Sequence, residues 1–569
     1  MRHLALLACY SAAGIAVTWP RTAYLTGRLP ALRDVSSYVW DLWWVARQVT
    51  HLANPWFTSH MAAPAGIQLG FDTTMPLAGL IMTPVTLAFG PSASLALLTA
   101  ITPGLACYAM YRAARLWLRS QAGAIAAGAF FGLSTMLTFQ NWYHLNISVG
   151  ALFLPMALEA SVRLRRCPGR RQGIILGLVL GASVLVNLET AIMALGLAVL
   201  VLVPWLLRAP AWGRLASLAL GAVVGAVTAS PQIIAMAYQA STDGTAGSDV
   251  HGYVTYTAQL PGLFGPSPRV AVFGMHGLAA IFHVTKRGEG IPAFGVVLSV
   301  LAVLGVAAAW RRRSAWLLAL LWLGGALLAL GPTLHIGSRV YVPLSQTWQG
   351  VPVSPLMPFT WLVRIPGLSG FREADRLALL GLVAAALLAG SAVDWLRDHA
   401  RPLIIVVAAL GTLEAGWSGN PGVGVMPSAL PALDRPIAAD HSDSIVLDVP
   451  FGLTGGLGLY GAEMAAPAIL IATADGHPRA IAYASWVPVP TRAAISAHPF
   501  YRRLVAAQRG QRTSAKTLAA ARRDARRLDI GWVLVWRTGN PVVIRYLTAT
   551  GFRFDYRADR VSVYRPGQR

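Results

Sequence analysis

Two acidic side chains near the start of the chain have the type and setting to do chemistry. Asp34 and Asp41 stand seven residues apart within residues 33–44, RDVSSYVWDLWW, among four aromatic side chains. A carboxylate in such a place can act as a general base toward a hydroxyl group. Either residue could take that role, and the alternative for Asp41 is a structural residue that tethers its segment. Because the segment follows the first apolar run, we predict that it is a polar loop leaving a membrane helix.

Polar residues in later loops are candidates for binding a substrate. They are His144, Asn146, Lys286, Glu289, Arg372 and Arg376. Cations and hydrogen-bond donors of this kind stabilise a departing anion such as a phosphate. His144 could donate to a phosphate, orient a carboxylate or serve only the structure. Asp34, Asp41 and Glu289 could hold a divalent metal, but their spacing does not establish such a site.

The two arginines of the last candidate loop stand four residues apart. This spacing predicts that Arg372 and Arg376 share one helix face, where they could bind a lipid phosphate. The alternative is that they pair with Glu373 or Asp375 and fix the loop. The sequence leaves both interpretations open.

The composition predicts that these loops belong to a membrane protein. Of the 569 residues, 55% are hydrophobic and 12% are charged, about half the charged fraction of a typical soluble protein. The net charge of +23 comes almost wholly from Arg, and most Arg residues lie in short loops between apolar runs. This is the positive-inside pattern, so we expect membrane lipids and no nucleic acid as partners.

The apolar runs predict a polytopic α-helical protein with about eleven transmembrane helices. They cover about residues 4–19, 92–111, 121–138, 147–162, 172–187, 190–207, 215–238, 291–310, 315–331, 377–394 and 402–418. The Arg-rich loops place the N-terminus in the cytoplasm and loops 20–75, 239–290 and 332–376 outside the membrane. Residues 76–90 give only about 20 Å of helix against a hydrocarbon core of about 30 Å. We therefore predict a helix on the outer membrane surface there.

The composition changes near residue 419, which divides the chain into a transmembrane domain, 1–418, and a tail, 419–569. In the tail we predict strands at 444–451 and 530–536, helical structure over 501–528 and a hairpin over 552–564. These elements predict a soluble α/β domain. The number of preceding spans puts this domain on the extracytoplasmic side.

Two glutamates fall inside predicted spans. Glu159 stands four residues before Arg163, so we expect the two side chains to pair. Glu414 has no evident role in the sequence.

Several segments resemble the C-type (GT-C) superfamily of membrane glycosyltransferases, in particular a bacterial branch of it. The resemblance covers about residues 1–400, and the tail more weakly. It rests on Asp34 soon after the first helix, Tyr38–Trp44, Asn54-Pro55, Ala63-Pro64, the Pro76 to Gly90 segment, His144–Asn146, Leu330–His335 and Pro366–Arg376. One departure is Arg33, because Gly often precedes the acidic residue in this branch.

The resemblance implies an inverting transferase that uses a polyprenyl-phosphate sugar. It implies a glycan, lipid or protein acceptor in the cell envelope, a place in the plasma membrane, and Asp34 as the base that deprotonates the acceptor. The alternatives are a transporter or flippase of lipid-linked saccharides, a non-catalytic assembly factor, and an O-antigen-type ligase or polymerase. A transporter is expected to have repeated halves and ionisable groups near the middle of the membrane, whereas here the polar groups cluster in loops.

Overall fold

A computed structural model of the protein describes residues 2–18, 27–208, 212–243, 250–265, 294–418, 424–455, 458–536 and 540–567. Two compact units divide these residues. The first, the helical unit, contains residues 2–18, 96–208, 212–230, 250–265 and 294–418. The second, the mixed unit, contains residues 27–95, 231–243, 424–455, 458–536 and 540–567.

Helices dominate the chain before residue 419. They are Arg2–Thr18, Arg33–Thr50, Pro76–Phe89, Pro91–Ala114, Gln121–Gly132, Thr135–Tyr143, Leu145–Ala151, Phe153–Arg166, Arg170–Val184, Leu188–Arg208, Trp212–Asp243, Val250–Thr255, Val296–Ala308, Arg313–Ala329, Pro358–Leu362, Ala378–His399 and Pro402–Ser418. Each of the eleven predicted apolar segments overlaps one of these helices. Short hairpins, Leu334–Ile336 with Arg339–Tyr341 and Gln346–Trp348 with Val351–Val353, lie in the loop before the helix Ala378–His399.

Six helical segments in the described part of the chain are long and apolar enough to cross a membrane. They are Pro91–Ala114, Gln121–Tyr143, Leu145–Arg166, Leu188–Arg208, Trp212–Asp243 and Ala374–His399. Shorter apolar helices cover His3–Thr18, Pro76–Phe89, Val296–Ala308, Arg313–Ala329 and Pro402–Glu414. The protein is therefore a multi-pass membrane protein, while the count of eleven spans and the surface position of Pro76–Phe89 stay predictions.

The third predicted span is not one continuous helix. It breaks at Leu133 and Ser134, and the hydroxyls of Ser120 and Ser134 accept backbone N–H groups at the starts of the two pieces. Serine is a preferred residue at a helix start because its oxygen satisfies an otherwise unpaired N–H. The fourth span is divided in the same way, near Leu152.

Both glutamates within predicted spans have partners in the helical unit. Glu159 accepts hydrogen bonds from Arg163 at 2.8 Å and from Arg112 at 2.7 Å, which confirms the predicted pair and adds a second arginine. Glu414 accepts the backbone N–H groups of Val296 at 2.6 Å and Val297 at 3.1 Å. It therefore caps the start of the helix Val296–Ala308 from a neighbouring helix.

The mixed unit is built around two sheets of the tail. Phe552–Ala558, Val561–Pro566, Ile530–Val535 and Ile445–Val449 form a four-stranded sheet in that order, with its last two strands parallel. Gly458–Gly461, Gly452–Gly455 and Ala482–Ala484 form a three-stranded sheet. A further strand, Val425–Pro427, pairs with Arg28–Pro30, and Phe57–Thr58 pairs with Ile67–Gln68. The tail helices are Pro431–Ala438, Pro467–Asp475, Val489–Ala497, Pro499–Gln508, Ala515–Arg527 and Pro541–Thr550.

Residues 27–95 share a hydrophobic core with the tail. Trp40, Trp44 and Ile67 are buried in one cluster with Leu447 and Phe500. Backbone hydrogen bonds run from Ala62 N–H to the Ile481 carbonyl and from Ala63 N–H to the Arg479 carbonyl, each 2.9 Å. The mixed unit thus joins a segment near the start of the sequence to its last 140 or so residues.

Candidate functional site

The segment predicted as a polar loop is the helix Arg33–Thr50, called here the acidic helix. The prediction of a loop was wrong, because the polar and aromatic residues of this segment form a helix that packs against other residues on almost every side. Twelve of its eighteen residues are buried. Asp34 lies in the first turn, where a negative charge interacts favourably with the helix dipole. Asp41 lies two turns later on the same face, about 10 Å along the axis.

Asp34 is half-buried and is held by a residue of the tail. The Tyr483 hydroxyl donates a hydrogen bond to Asp34 Oδ1 at 2.5 Å. The preceding Arg33 pairs with Glu463 at 3.0 Å, and its guanidinium carbon lies 6.0 Å from the centre of the Tyr483 ring. Asp34 therefore combines access to solvent with a fixed orientation.

Asp41 has a different environment, although it lies on the same face. It is 1% exposed, and neither carboxylate oxygen has a hydrogen-bond partner among the described residues. Burial, and secondly the charge of Asp72, raise the pKa of Asp41 well above its ordinary value. A buried carboxyl group in this setting favours its protonated form, which cannot act as a base.

Asp72 is the third acid of this cluster and is also bound by the tail. It accepts the backbone N–H of Ser485 at 2.7 Å. Burial raises the pKa of Asp72, although hydrogen bonds from Ser485 and Thr73 oppose the rise. Tyr483 lies in the strand Ala482–Ala484, and Ser485 follows that strand directly. This short segment of the tail thus contacts both Asp34 and Asp72.

The aromatic residues of the acidic helix fix its position in the core. Trp40 is fully buried and stacks on Trp44 with 5.4 Å between ring centres. His60 lies 5.2 Å from the Trp44 ring, and burial, followed by the charge of Arg47, lowers the pKa of His60 to about 4. His60 is therefore neutral at physiological pH, and these rings hold the helix in place.

The candidate arginines lie in the helical unit and pair with acids. Arg372 donates to Glu373 at 2.7 Å and stacks 5.4 Å from the centre of the Tyr256 ring. Arg376 is buried and pairs with Glu189 at 2.9 Å and with Glu373 at 3.9 Å. The expected shared helix face is wrong, because the helical structure begins with a 3₁₀ turn at Ala374, after Arg372. Pairing with Glu373, the alternative interpretation, agrees with the structure.

Comparison with solved structures identifies the architecture. The chain superposes on the arabinofuranosyltransferase AftD from Mycobacteria with a TM-score of 0.61 and 16% identity, over 99% of this chain and 41% of AftD. It superposes on ArnT from Cupriavidus metallidurans, solved with undecaprenyl phosphate, with a TM-score of 0.51 and 14% identity, over 98% of this chain and 97% of ArnT. The fold is that of the GT-C glycosyltransferases. No family model matches the sequence, and no curated protein matches it.

The GT-C fold expected from the sequence is confirmed. The other predicted site residues have the following positions in the structure. His144 lies in the helical unit between two short helices, with its Nδ1 atom 2.8 Å from Gln140 Oε1. Asn146 is buried in the next turn. Lys286 and Glu289 lie outside the described residues. Within the described ranges no three His, Cys, Asp or Glu residues are grouped to hold a metal ion, and the role proposed for Glu289 in such a site stays untested.

Three residues that contact the candidate site residues escaped prediction from the sequence. Tyr483 and Ser485 lie more than 400 residues from the acids that they contact, and no motif marks them. Glu189 lies in a predicted turn without a predicted partner, and it pairs with Arg376 across 187 positions. Only the expectation that Arg376 is buried, and therefore requires an acidic partner, could have suggested this pair.

Proposed function

We propose that the chain is a membrane-embedded inverting glycosyltransferase that moves a sugar from a polyprenyl-phosphate donor to a glycan, lipid or protein of the cell envelope. The observation that carries the proposal is the half-buried Asp34 in the first turn of the acidic helix, oriented by Tyr483. The GT-C fold supports it, as do the two similar structures, since AftD is an arabinofuranosyltransferase and ArnT was solved with undecaprenyl phosphate.

In the proposed reaction Asp34 is the general base. Its carboxylate takes the proton of an acceptor hydroxyl while the hydroxyl oxygen attacks the anomeric carbon of the donor sugar. The bond from that carbon to the phosphate oxygen breaks as the new glycosidic bond forms, and polyprenyl phosphate leaves with the bond's electron pair. Attack opposite to the leaving phosphate inverts the anomeric configuration.

Asp34 fits this role better than Asp41 because a base must reach its proton. Asp34 is partly exposed to solvent, whereas Asp41 is 1% exposed and its pKa is raised by burial. We therefore assign Asp41 to the support of the acidic helix. The structural alternative for Asp41 is preferred to the catalytic one.

A separate proposal concerns the helical unit and the lipid phosphate. Arg372 keeps 25% of its side chain exposed, whereas Arg376 keeps 10% and is engaged by Glu189. A partly exposed guanidinium can donate two parallel hydrogen bonds to a phosphate. We assign phosphate binding to Arg372 and an ordering role to Arg376. His144, Asn146, Lys286 and Glu289 stay candidates for substrate binding.

The test of this function is a transfer assay with purified protein in lipid nanodiscs. Radiolabelled polyprenyl-phosphate pentoses and hexoses are supplied with a cell-envelope extract as the acceptor. We expect label in a new glycosidic product from at least one donor, with inverted anomeric configuration by NMR. Movement of an intact donor across the bilayer without a new product would support a flippase instead. The absence of both with every donor would support an assembly factor.

A further inference from the structure

The tail contacts the acidic helix through a small set of polar bonds. The strand Ala482–Ala484 places the Tyr483 hydroxyl on Asp34 and is followed by Ser485, whose N–H donates to Asp72. The Ser485 hydroxyl lies 3.4 Å from that of Thr73. These bonds join two regions of sequence that share one core in the mixed unit.

We propose that Tyr483 is a positioning residue for the catalytic base, so that the tail forms part of the catalytic site. This inference rests on the proposed function, because it requires Asp34 to be the base. The tail is then more than an accessory domain, because one of its residues orients the carboxylate.

The geometry of the hydrogen bond explains the role. The Tyr483 hydroxyl donates to Asp34 Oδ1, and the proposal gives the acceptor's proton to the second oxygen, Oδ2. Tyr483 thereby fixes the orientation of the carboxylate.

Arg33 also interacts with the tail, through Tyr483 and Glu463. Its guanidinium lies over the Tyr483 ring and pairs with Glu463, a residue of the tail. Because both charges of this pair are partly exposed, the pair alone contributes little to stability. Its value is directional, since it holds the Arg33 guanidinium over the Tyr483 ring. The arginine that departs from the pattern of the bacterial branch has a partner that the tail supplies.

The test is Tyr483→Phe in the full chain, which removes one oxygen and keeps the ring. We expect kcat to fall about 10- to 100-fold, the usual effect of losing a hydrogen bond to a charged group. The KM for the polyprenyl-phosphate donor should stay within about twofold, because the donor site is intact. A fall in kcat at an unchanged KM is a split that a purely structural role would not cause.

The matched control is Tyr556→Phe, which removes a hydroxyl without a hydrogen-bond partner in the described tail. It should leave kcat and KM unchanged. Melting of both variants, followed by tryptophan fluorescence, should lie within a few degrees of the parent protein.

Two outcomes separate this inference from the proposed function. If Tyr483→Phe matches the parent in kcat and KM while Asp34→Asn is inactive, the positioning role is wrong and the base assignment stands. If Asp34→Asn is itself fully active, the base assignment is wrong, and the role of Tyr483 is lost with it.

Discussion

Two aspartates on one helix face show how the surroundings decide what a carboxyl group can do. Asp34 and Asp41 have the same chemistry, and from the sequence only the resemblance to the GT-C superfamily favoured Asp34. The structure separates them, since Asp34 is partly exposed and bonded to Tyr483, whereas Asp41 is buried without a hydrogen-bond partner in the described ranges. Burial depends on distant residues such as Asp72, so the local sequence could not predict it.

The environment of Asp41 predicts a pH-dependent effect on stability. Burial and Asp72 raise the pKa of Asp41 in the folded protein. The unfolded state therefore loses the Asp41 proton at a lower pH than the folded state does. Parent stability should therefore fall as pH rises above the ordinary aspartate pKa of about 4. Asp41→Asn removes the titrating group, so its melting temperature should exceed that of the parent by a few degrees at pH 8 and equal it near pH 4.

Thermal melts in nanodiscs across this pH range measure the effect, and exposed Asp555 offers a control. Asp555→Asn should shift the melting temperature equally, or not at all, at both pH values. The difference in melting temperature between the parent and Asp41→Asn could be the same at pH 8 as at pH 4. That result would contradict the buried, unpaired state of Asp41.

Elements defined by long apolar runs could be predicted well, and the acidic helix could not. Each apolar run overlaps a helix, because a continuous apolar run of about 17 residues in a membrane protein forms few structures other than a helix. The acidic helix has a mixed sequence, and its packing partners include Leu447 and Phe500, more than 400 positions away. Its helical state depends on those partners, which local sequence patterns do not show.

The strand Ile445–Val449 and the helix Pro467–Asp475 are joined by a buried cation, which gives a prediction about the tail. Arg479 is 1% exposed, donates to Asp448 at 3.2 Å and also pairs with Asp475. Arg479→Met would leave two carboxylates buried without their cation. We expect this substitution to destabilise the tail by about 3–5 kcal/mol.

Chemical denaturation followed by tryptophan fluorescence can measure this loss. Arg523→Gln, at an exposed position of the helix Ala515–Arg527, is the control and should change stability by less than about 0.5 kcal/mol. A loss below about 1 kcal/mol for Arg479→Met would show that the two acids do not depend on Arg479.

The whole molecule combines features that the sequence could predict with one that it could not. Composition and Arg-rich loops predicted a membrane protein, and residue patterns predicted the GT-C fold that the comparison with AftD supports. The grouping of residues 27–95 with the tail was not predicted. It depends on short strands and single hydrogen bonds, such as the pairing of Arg28–Pro30 with Val425–Pro427, which have no local signature.

The membrane topology stays a prediction and can be tested in intact cells. With the native cysteines replaced, Ala429→Cys places a thiol at an exposed position of the tail. We expect it to react with a membrane-impermeant maleimide, because the tail is predicted to be extracytoplasmic. A variant that keeps only Cys167, in a predicted cytoplasmic loop, should react only after permeabilisation. Protection of the Ala429→Cys thiol, together with labelling of Cys167 in intact cells, would reverse the topology.

Asp34 as the base is the central claim, and substitution of that residue tests it most directly. Sugar transfer from labelled polyprenyl-phosphate donors is measured for Asp34→Asn and Asp41→Asn in nanodiscs, with donor binding measured in parallel. We predict that Asp34→Asn lowers kcat by about 100-fold or more without loss of donor binding, as expected for a general base, while Asp41→Asn keeps most of the activity. Parental activity in Asp34→Asn, or an inactive Asp41→Asn that remains folded, would contradict the account.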